Sequence, residues 1–198
     1  MGSAGQVRIV LASRSPRRIE LLGRLGVACH VVPADIDETP LPGETAREMV
    51  LRLSIGKATV VAVHHRESTV LAADTTVEVD DEILGQPVDD DDAARMLRRL
   101  SGRAHRVHTA VAVIDPSGSA PRTVTVTSLV TFHPLTEAAL EWYVATGEPR
   151  GKAGAYAVQG LGASLVASVR GSMSNVIGLP VAETARLLGL ARRGPGPR

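Results

Sequence analysis

Apolar residues along the chain follow two alternating patterns: short β-branched runs, and longer stretches with an apolar position every three or four residues. Residues 7–12 (VRIVLA) are the first run, residues 13–16 punctuate it, and residues 17–25 put Ile19, Leu22 and Leu25 on one stripe. That order predicts strand, turn and helix, with Ser15 as N-cap and Pro16 at the first helical position, where a missing N–H is no loss. Gly26 ends the helix and residues 27–32 read as a second strand. After a loop over 33–43, Thr45 and Glu48 have capping-box spacing and open a helix reaching about His64, with Met49, Val50, Leu53, Val60 and Val61 on its stripe. Lys57 falls inside that stripe, so its stem is expected against the protein body.

The second half continues in the same way. Residues 69–73 (TVLAA) are a small-apolar run expected of a buried strand that ends at Asp74, and residues 77–83, with Asp80 and Asp81 at the centre, read as a hairpin. Residues 89–92 supply a cap and first-turn charge for a helix through Leu100. Residues 104–114 and 122–132 alternate as two long strands, and Asp115, Pro116, Ser117 and Gly118 give the turn signal that makes them an antiparallel pair. A helix is predicted over 136–146, a loop over 147–152, a strand over 163–169 and a last helix over 180–190 with Pro180 at its first position. Residues 191–198 are expected to fray. Strands and helices alternate without repeat or linker, which predicts an α/β protein: one bilobed domain over 1–198 with a mixed, twisted sheet flanked by helices.

Composition narrows the function. With 198 residues, 44% hydrophobic and 22% charged, the chain is neither disordered nor membrane-spanning, and no stretch approaches the run of about 20 apolar residues that a membrane helix needs. Aromatics are 2% and formal charge is +1, leaving neither a base-stacking platform nor a basic field for nucleic acid. An anion must therefore be met by a local cluster. The single cysteine, Cys29, cannot close an internal disulfide, and residues 1–6 do not read as a leader, so a soluble cytoplasmic protein is expected.

Residues 13–18 (SRSPRR) could form such a cluster, because the chain reaches a helix N-terminus, which favours an anion, alongside Arg17 and Arg18. Gly56 and Lys57 lack the flanking residues of a Walker A loop. Asp74, at the end of an apolar strand, could hold Mg²⁺, take a proton from water, or serve as a cap or turn residue, although Thr75 and Thr76 after it look extended, which weakens the cap reading. Asp37 and Glu38 form a carboxylate pair suited to a hydrated hard cation or to solvent. His105 and His108 are three apart on a strand and point to opposite faces, while His64 and His65 end a helix; all four read as structural. Ser15 lacks a nucleophile elbow and Cys29 lacks a partner base, so covalent catalysis is disfavoured. In residues 148–159 (EPRGKAGAYAVQ), Lys152 precedes small residues that allow close backbone approach, and Gln159 offers the donor and acceptor needed to read a pyrimidine edge.

The blocks LASRSPRRIELL, AADTTVEVDDEILGQP, LSGRAHRVHTAVAV, KAGAYAVQGLGASLV and SNVIGLP resemble, in order and over residues 11–180, the signature blocks of the Maf family. The resemblance implies a nucleoside triphosphate pyrophosphatase whose fold is similar to that of inosine triphosphate pyrophosphatases, with a cleft between two lobes, usually a homodimer, and linked by name to inhibition of septum formation. It implies that Ser13, Ser15, Arg17 and Arg18 receive the triphosphate with Lys152 as a further phosphate contact, that Lys57 reaches the same cleft as a catalytic cation stabilising the leaving pyrophosphate, and that Asp74 is the proton acceptor. Glu38 and Asp74 would hold a divalent metal, Mg²⁺ first, with Mn²⁺ or Co²⁺ as alternatives. Ala73, Asp74 and Thr75 place the chain with the members that prefer dTTP and UTP, and Arg17, Thr75 and Gln159 are the positions associated with base choice. Gln86 stands where the family usually carries a lysine, removing one cation from the phosphate site. The implied reaction is attack by an Asp74-activated water on the α-phosphorus. The rival reading is a nucleotide-binding regulator of cell division without catalysis, distinguishable by whether turnover depends on Mg²⁺.

Overall fold

The computed structural model describes residues 7–118 and 120–190; the expectation for residues 191–198 lies outside them. The first apolar run forms β1 (Val7–Leu11), and Pro16 starts α1 (Pro16–Arg24) at its first position as expected. Ser15 occupies the N-cap, but its hydroxyl bonds no helix N–H; its own N–H instead donates to Ser13 Oγ. Gly26, at φ +72°, turns the chain into β2 (Val27–Val31). The reciprocal Thr45–Glu48 capping box opens α2 (Ala46–Ala62), as its spacing predicts.

The remaining elements are β3 (Val70–Val79), β4 (Glu82–Leu84), α3 (Asp90–Leu100), β5 (Ala104–Ile114), β6 (Arg122–Phe132), α4 (Glu137–Ala145), β7 (Val166–Arg170), α5 (Met173–Ile177) and α6 (Val181–Leu187). They form one mixed sheet in the order β2-β1-β3-β5-β6-β7, with β4 also paired to β3. β1 runs parallel to β2 and β3, whereas β3, β5, β6 and β7 pair antiparallel in sequence. Three expectations are corrected. The strand does not stop at Asp74: the β-branched Thr75, Thr76 and Val77 keep pairing with β5 as far as Glu78. Residues 163–165 lie in a 3₁₀ segment, Leu161–Leu165, and the strand begins at Val166. Pro180 is an N-cap rather than a helical residue, and the last helix spans only Val181–Leu187.

β3 organises the molecule. Its residues alternate between faces, so Val70 and Ala72 pack with Ala58 and Val61 of α2, while Leu71 and Ala73 pack on the opposite face with Leu21 and Leu22 of α1. Farther along that second face, Val77 and Val79 enter a separate core with Met96 and Leu97 of α3 and Tyr143 of α4. Two cores therefore share one face of a single strand. One edge of β3 is divided likewise, pairing β1 at Val70 and Leu71 and β4 at Val77, Glu78 and Val79. Residues 72–76 lie in the fork between those partners, and Asp74 is at its centre.

Candidate active site

Asp74 falls on the α2 face of β3, and Lys57 falls on the α2 stripe that covers it. Their meeting follows from two periodicities, one of two and one of about 3.6 residues. Lys57 Nζ lies 2.6 Å from Asp74 Oδ1 and 2.9 Å from Glu38 Oε1. Asp74 and Lys57 are buried at 6% and 8% exposure, whereas Glu38 reaches in from the exposed loop between β2 and α2. Burial pushes the Asp74 carboxyl above its ordinary value, against the pull of Lys57 and of Arg18. The result is a carboxylate more basic than one in water, with a cation already bonded to it. Asp37, its neighbour in sequence, takes no part, because its carboxylate accepts from the Thr39 N–H.

The turn at residues 13–18 closes one side of the cleft. Arg18 donates from Nε to the Gly178 carbonyl at 2.8 Å, from Nη1 to Ser13 Oγ at 3.0 Å and from Nη2 to Thr75 Oγ1 at 3.0 Å. It thus ties the turn, β3 and the end of α5 together. Thr75 and Thr109 hydroxyls are 2.9 Å apart, and Thr109 donates onward to the Asn175 carbonyl. Thr109 has one proton, so the proton in the Thr75–Thr109 bond is that of Thr75. With Arg18 also donating to it, Thr75 keeps only an acceptor position for a ligand. Arg17 is less constrained, bonding the Ile177 carbonyl at 3.3 Å through Nε.

The opposite wall is a strap over residues 148–162. Lys152 Nζ bonds the Arg150 carbonyl at 3.0 Å; burial lowers its pKa, and the charge of Arg17 lowers it further, so the two cations act on each other across the cleft. Gly154, at φ +67°, donates to the Gly85 carbonyl at 3.0 Å, and a Cβ there would come within 2.8 Å of Val77 Cγ2. Only glycine lets the strap lie this close to β3. Gln86 and Gln159 are exposed on the rim.

These walls enclose a cleft of about 790 Å³, large enough for a nucleotide. Ser13, Ser15, Arg17, Arg18, Glu38, Lys57, Asp74, Thr75, Gln86, Lys152 and Gln159 all line it. The structure therefore gathers the residues that the resemblance implies, and leaves Asp37 outside. His105 and His108 lie outside it: His105 Nε2 is 2.9 Å from Tyr156 Oη, with burial lowering its pKa to about 4, and His108 bonds Glu78 and Thr127. Among the cleft-lining residues that sequence reasoning missed, three bear on its chemistry. Arg14 belongs to the same turn as Arg17 and could have been found there. Tyr156, in the aromatic cluster with Phe132, gives no sequence signal. Nor does Thr76, whose buried hydroxyl has no partner among the described residues.

For a metal, the donor set among the described residues is Asp74 and Glu38, with no cluster of three or more acidic, His or Cys side chains. Two carboxylates suit a Mg²⁺ that arrives on phosphates and keeps waters, and they do not suit a cation held by protein alone. The Lys57 ammonium lies between them, showing that this position favours positive charge.

The sequence profile of one family, described as Maf-like protein, matches residues 8–191. A dTTP/UTP pyrophosphatase of Myxococcus xanthus is 52% identical over 94% of this chain and 93% of its own length. One of Anaeromyxobacter dehalogenans is 53% identical over 91% of this chain and 92% of its own. Among solved structures, a nucleoside-triphosphatase described as a dITP/XTP pyrophosphatase from Mycobacterium abscessus matches 96% of this chain and 100% of its own at TM-score 0.46 and 19% identity.

Proposed function

The chain belongs to the Maf-like protein family, and on that premise we propose that it is a pyrophosphatase hydrolysing dTTP and UTP to the monophosphate and pyrophosphate. The observation that carries this reading is the convergence of one buried carboxylate and several cations, distant in sequence, on one cleft. Arg17 and Lys152 have free donors for phosphate oxygens, and the turn at residues 13–18 adds Ser15 and Arg14. Arg18 acts differently from the simple phosphate contact implied by the resemblance: three of its N–H groups are engaged by protein, so it shapes the pocket while contributing charge. Gln86, in place of the usual lysine, can donate a neutral hydrogen bond, weaker than a charge-assisted one by about half.

In this reading Asp74 accepts the proton of a water at the cleft floor, and its raised pKa suits that task better than an exposed aspartate would. Lys57 orients the carboxylate and screens it from the phosphates. Asp74 and Glu38 would hold a divalent cation, Mg²⁺ first, which when bound neutralises phosphate charge and polarises the α-phosphorus. Thr75, restricted to accepting, favours a base or sugar group that donates, and Gln159 supplies both polarities for a thymine or uracil edge. The family resemblance alone supports a homodimer and a link to septum formation. The solitary Cys29 supports a cytoplasmic setting, and no helix among the described residues is long and apolar enough to cross a membrane.

The test is Asp74→Asn. Its turnover of dTTP and UTP is expected to fall by at least about a thousandfold, measured as pyrophosphate release, while titration still detects triphosphate binding. Near-normal release would remove Asp74 from the reaction. The names of the relatives disfavour a non-catalytic regulator, for which metal-dependent turnover would not exist.

A further inference from the structure

Gln159 has no hydrogen-bond partner for its side chain among the described residues, so its direction depends on the backbone that carries it. That backbone is held from outside the cleft. Glu148 Oε1 accepts from the Gly162 N–H at 2.8 Å, and Oε2 accepts from the Leu161 N–H at 2.9 Å. Tyr143 donates its hydroxyl to Glu148 Oε1 at 2.8 Å while accepting the Ala157 N–H at 3.1 Å. Three N–H groups of residues 157–162 thus converge on one carboxylate–phenol pair, and Gly160 closes the turn on the Ala157 carbonyl. The fit leaves no room for side chains: a Cβ at Gly160 would be 2.1 Å from Glu148 Oε2, and one at Gly162 would be 2.6 Å from Tyr143 Oη. Burial alone would raise the Glu148 pKa, but the bonds from Gly162, Leu161 and Tyr143 outweigh it and hold the group below the ordinary carboxylate value. Neither Glu148 nor Tyr143 lines the cleft.

We propose that Glu148, braced by Tyr143, is a positioning residue for base selection, fixing Gln159 in its reading position without touching the nucleotide. This rests on the reading of Gln159 as a base-contacting residue. Glu148→Gln preserves volume but turns an amide N–H₂ toward groups that are themselves donors, so the turn must give way at Leu161 or Gly162. Tyr143→Phe leaves Glu148 two backbone bonds and releases only Ala157, and it keeps the proposal testable should the Gln variant fold poorly.

The experiment compares kcat/KM for UTP and CTP in the wild-type chain, Glu148→Gln, Tyr143→Phe, Gln159→Ala and the Glu148→Gln/Gln159→Ala double variant. Glu148→Gln is expected to reduce the UTP:CTP ratio by about tenfold through a raised KM for UTP, with kcat within about twofold. Tyr143→Phe should reduce it less, and the double variant should match Gln159→Ala alone. The proposal is overturned if Gln159→Ala lowers the ratio while Glu148→Gln and Tyr143→Phe leave it intact, or if the double variant shows the product of the two single effects. An unchanged ratio in Gln159→Ala would instead overturn the base-reading role, and with it the function assigned here to Glu148.

Discussion

At Asp74, burial works against the charged form of the carboxyl. A buried carboxylate whose folded pKa lies above its unfolded value favours folding when protonated, and that contribution is lost as pH rises through the folded pKa. Asp74→Asn, a neutral isostere, should therefore raise Tm at pH 7, with the gap narrowing toward acid as the native carboxyl takes up its proton; a lower Tm at pH 7 would mean that Lys57 outweighs burial. Lys57 tunes the same group. Removing its charge by Lys57→Met leaves burial opposed mainly by Arg18, so the acid limb of the kcat/KM–pH profile should move to higher pH, beyond any loss of rate. An unmoved limb would assign it to another group.

The elements differ in how much of them local pattern could show. The capping box at Thr45 and Glu48, the alternation of β5 and β6, and the Lys57 placement all follow from local spacing, and the structure has them where that spacing puts them. The continuation of β3 through Asp74 is tertiary: nothing nearby in sequence shows that β5 supplies partners on one edge while the other lies open as a fork. The 3₁₀ segment after Gln159 is hidden for the same reason, since its N–H groups answer to Glu148, more than ten residues earlier. The five residues of α5 are too few to display a period. One element carries an avoidable strain. Asp80 and Asp81, at φ +50° and +62°, close the β3–β4 hairpin in the left-handed region, where glycine is preferred. Asp80 bonds Arg103, whereas the Asp81 side chain has no partner among the described residues. Asp81→Gly should therefore stabilise the fold by up to about 1 kcal/mol in denaturant titration with turnover unchanged.

At the scale of the whole molecule, the division of β3 between two cores creates the cleft. α1 and its preceding turn bring Ser13, Arg17 and Arg18 from one lobe, and the strap packed on the other brings Lys152 and Gln159, so a ligand must touch both. The formal charge of only +1 gives the molecule no overall basic field, and a polyanion in the cleft would meet Arg17, Arg18, Lys57 and Lys152. In the proposed reaction Asp74 directs water at the α-phosphorus of a triphosphate lying across the two lobes. A single turnover of UTP in ¹⁸O-labelled water, read by mass spectrometry, tests it. The label should enter the nucleoside monophosphate and leave pyrophosphate unlabelled; label in pyrophosphate, or orthophosphate as the product, would contradict it.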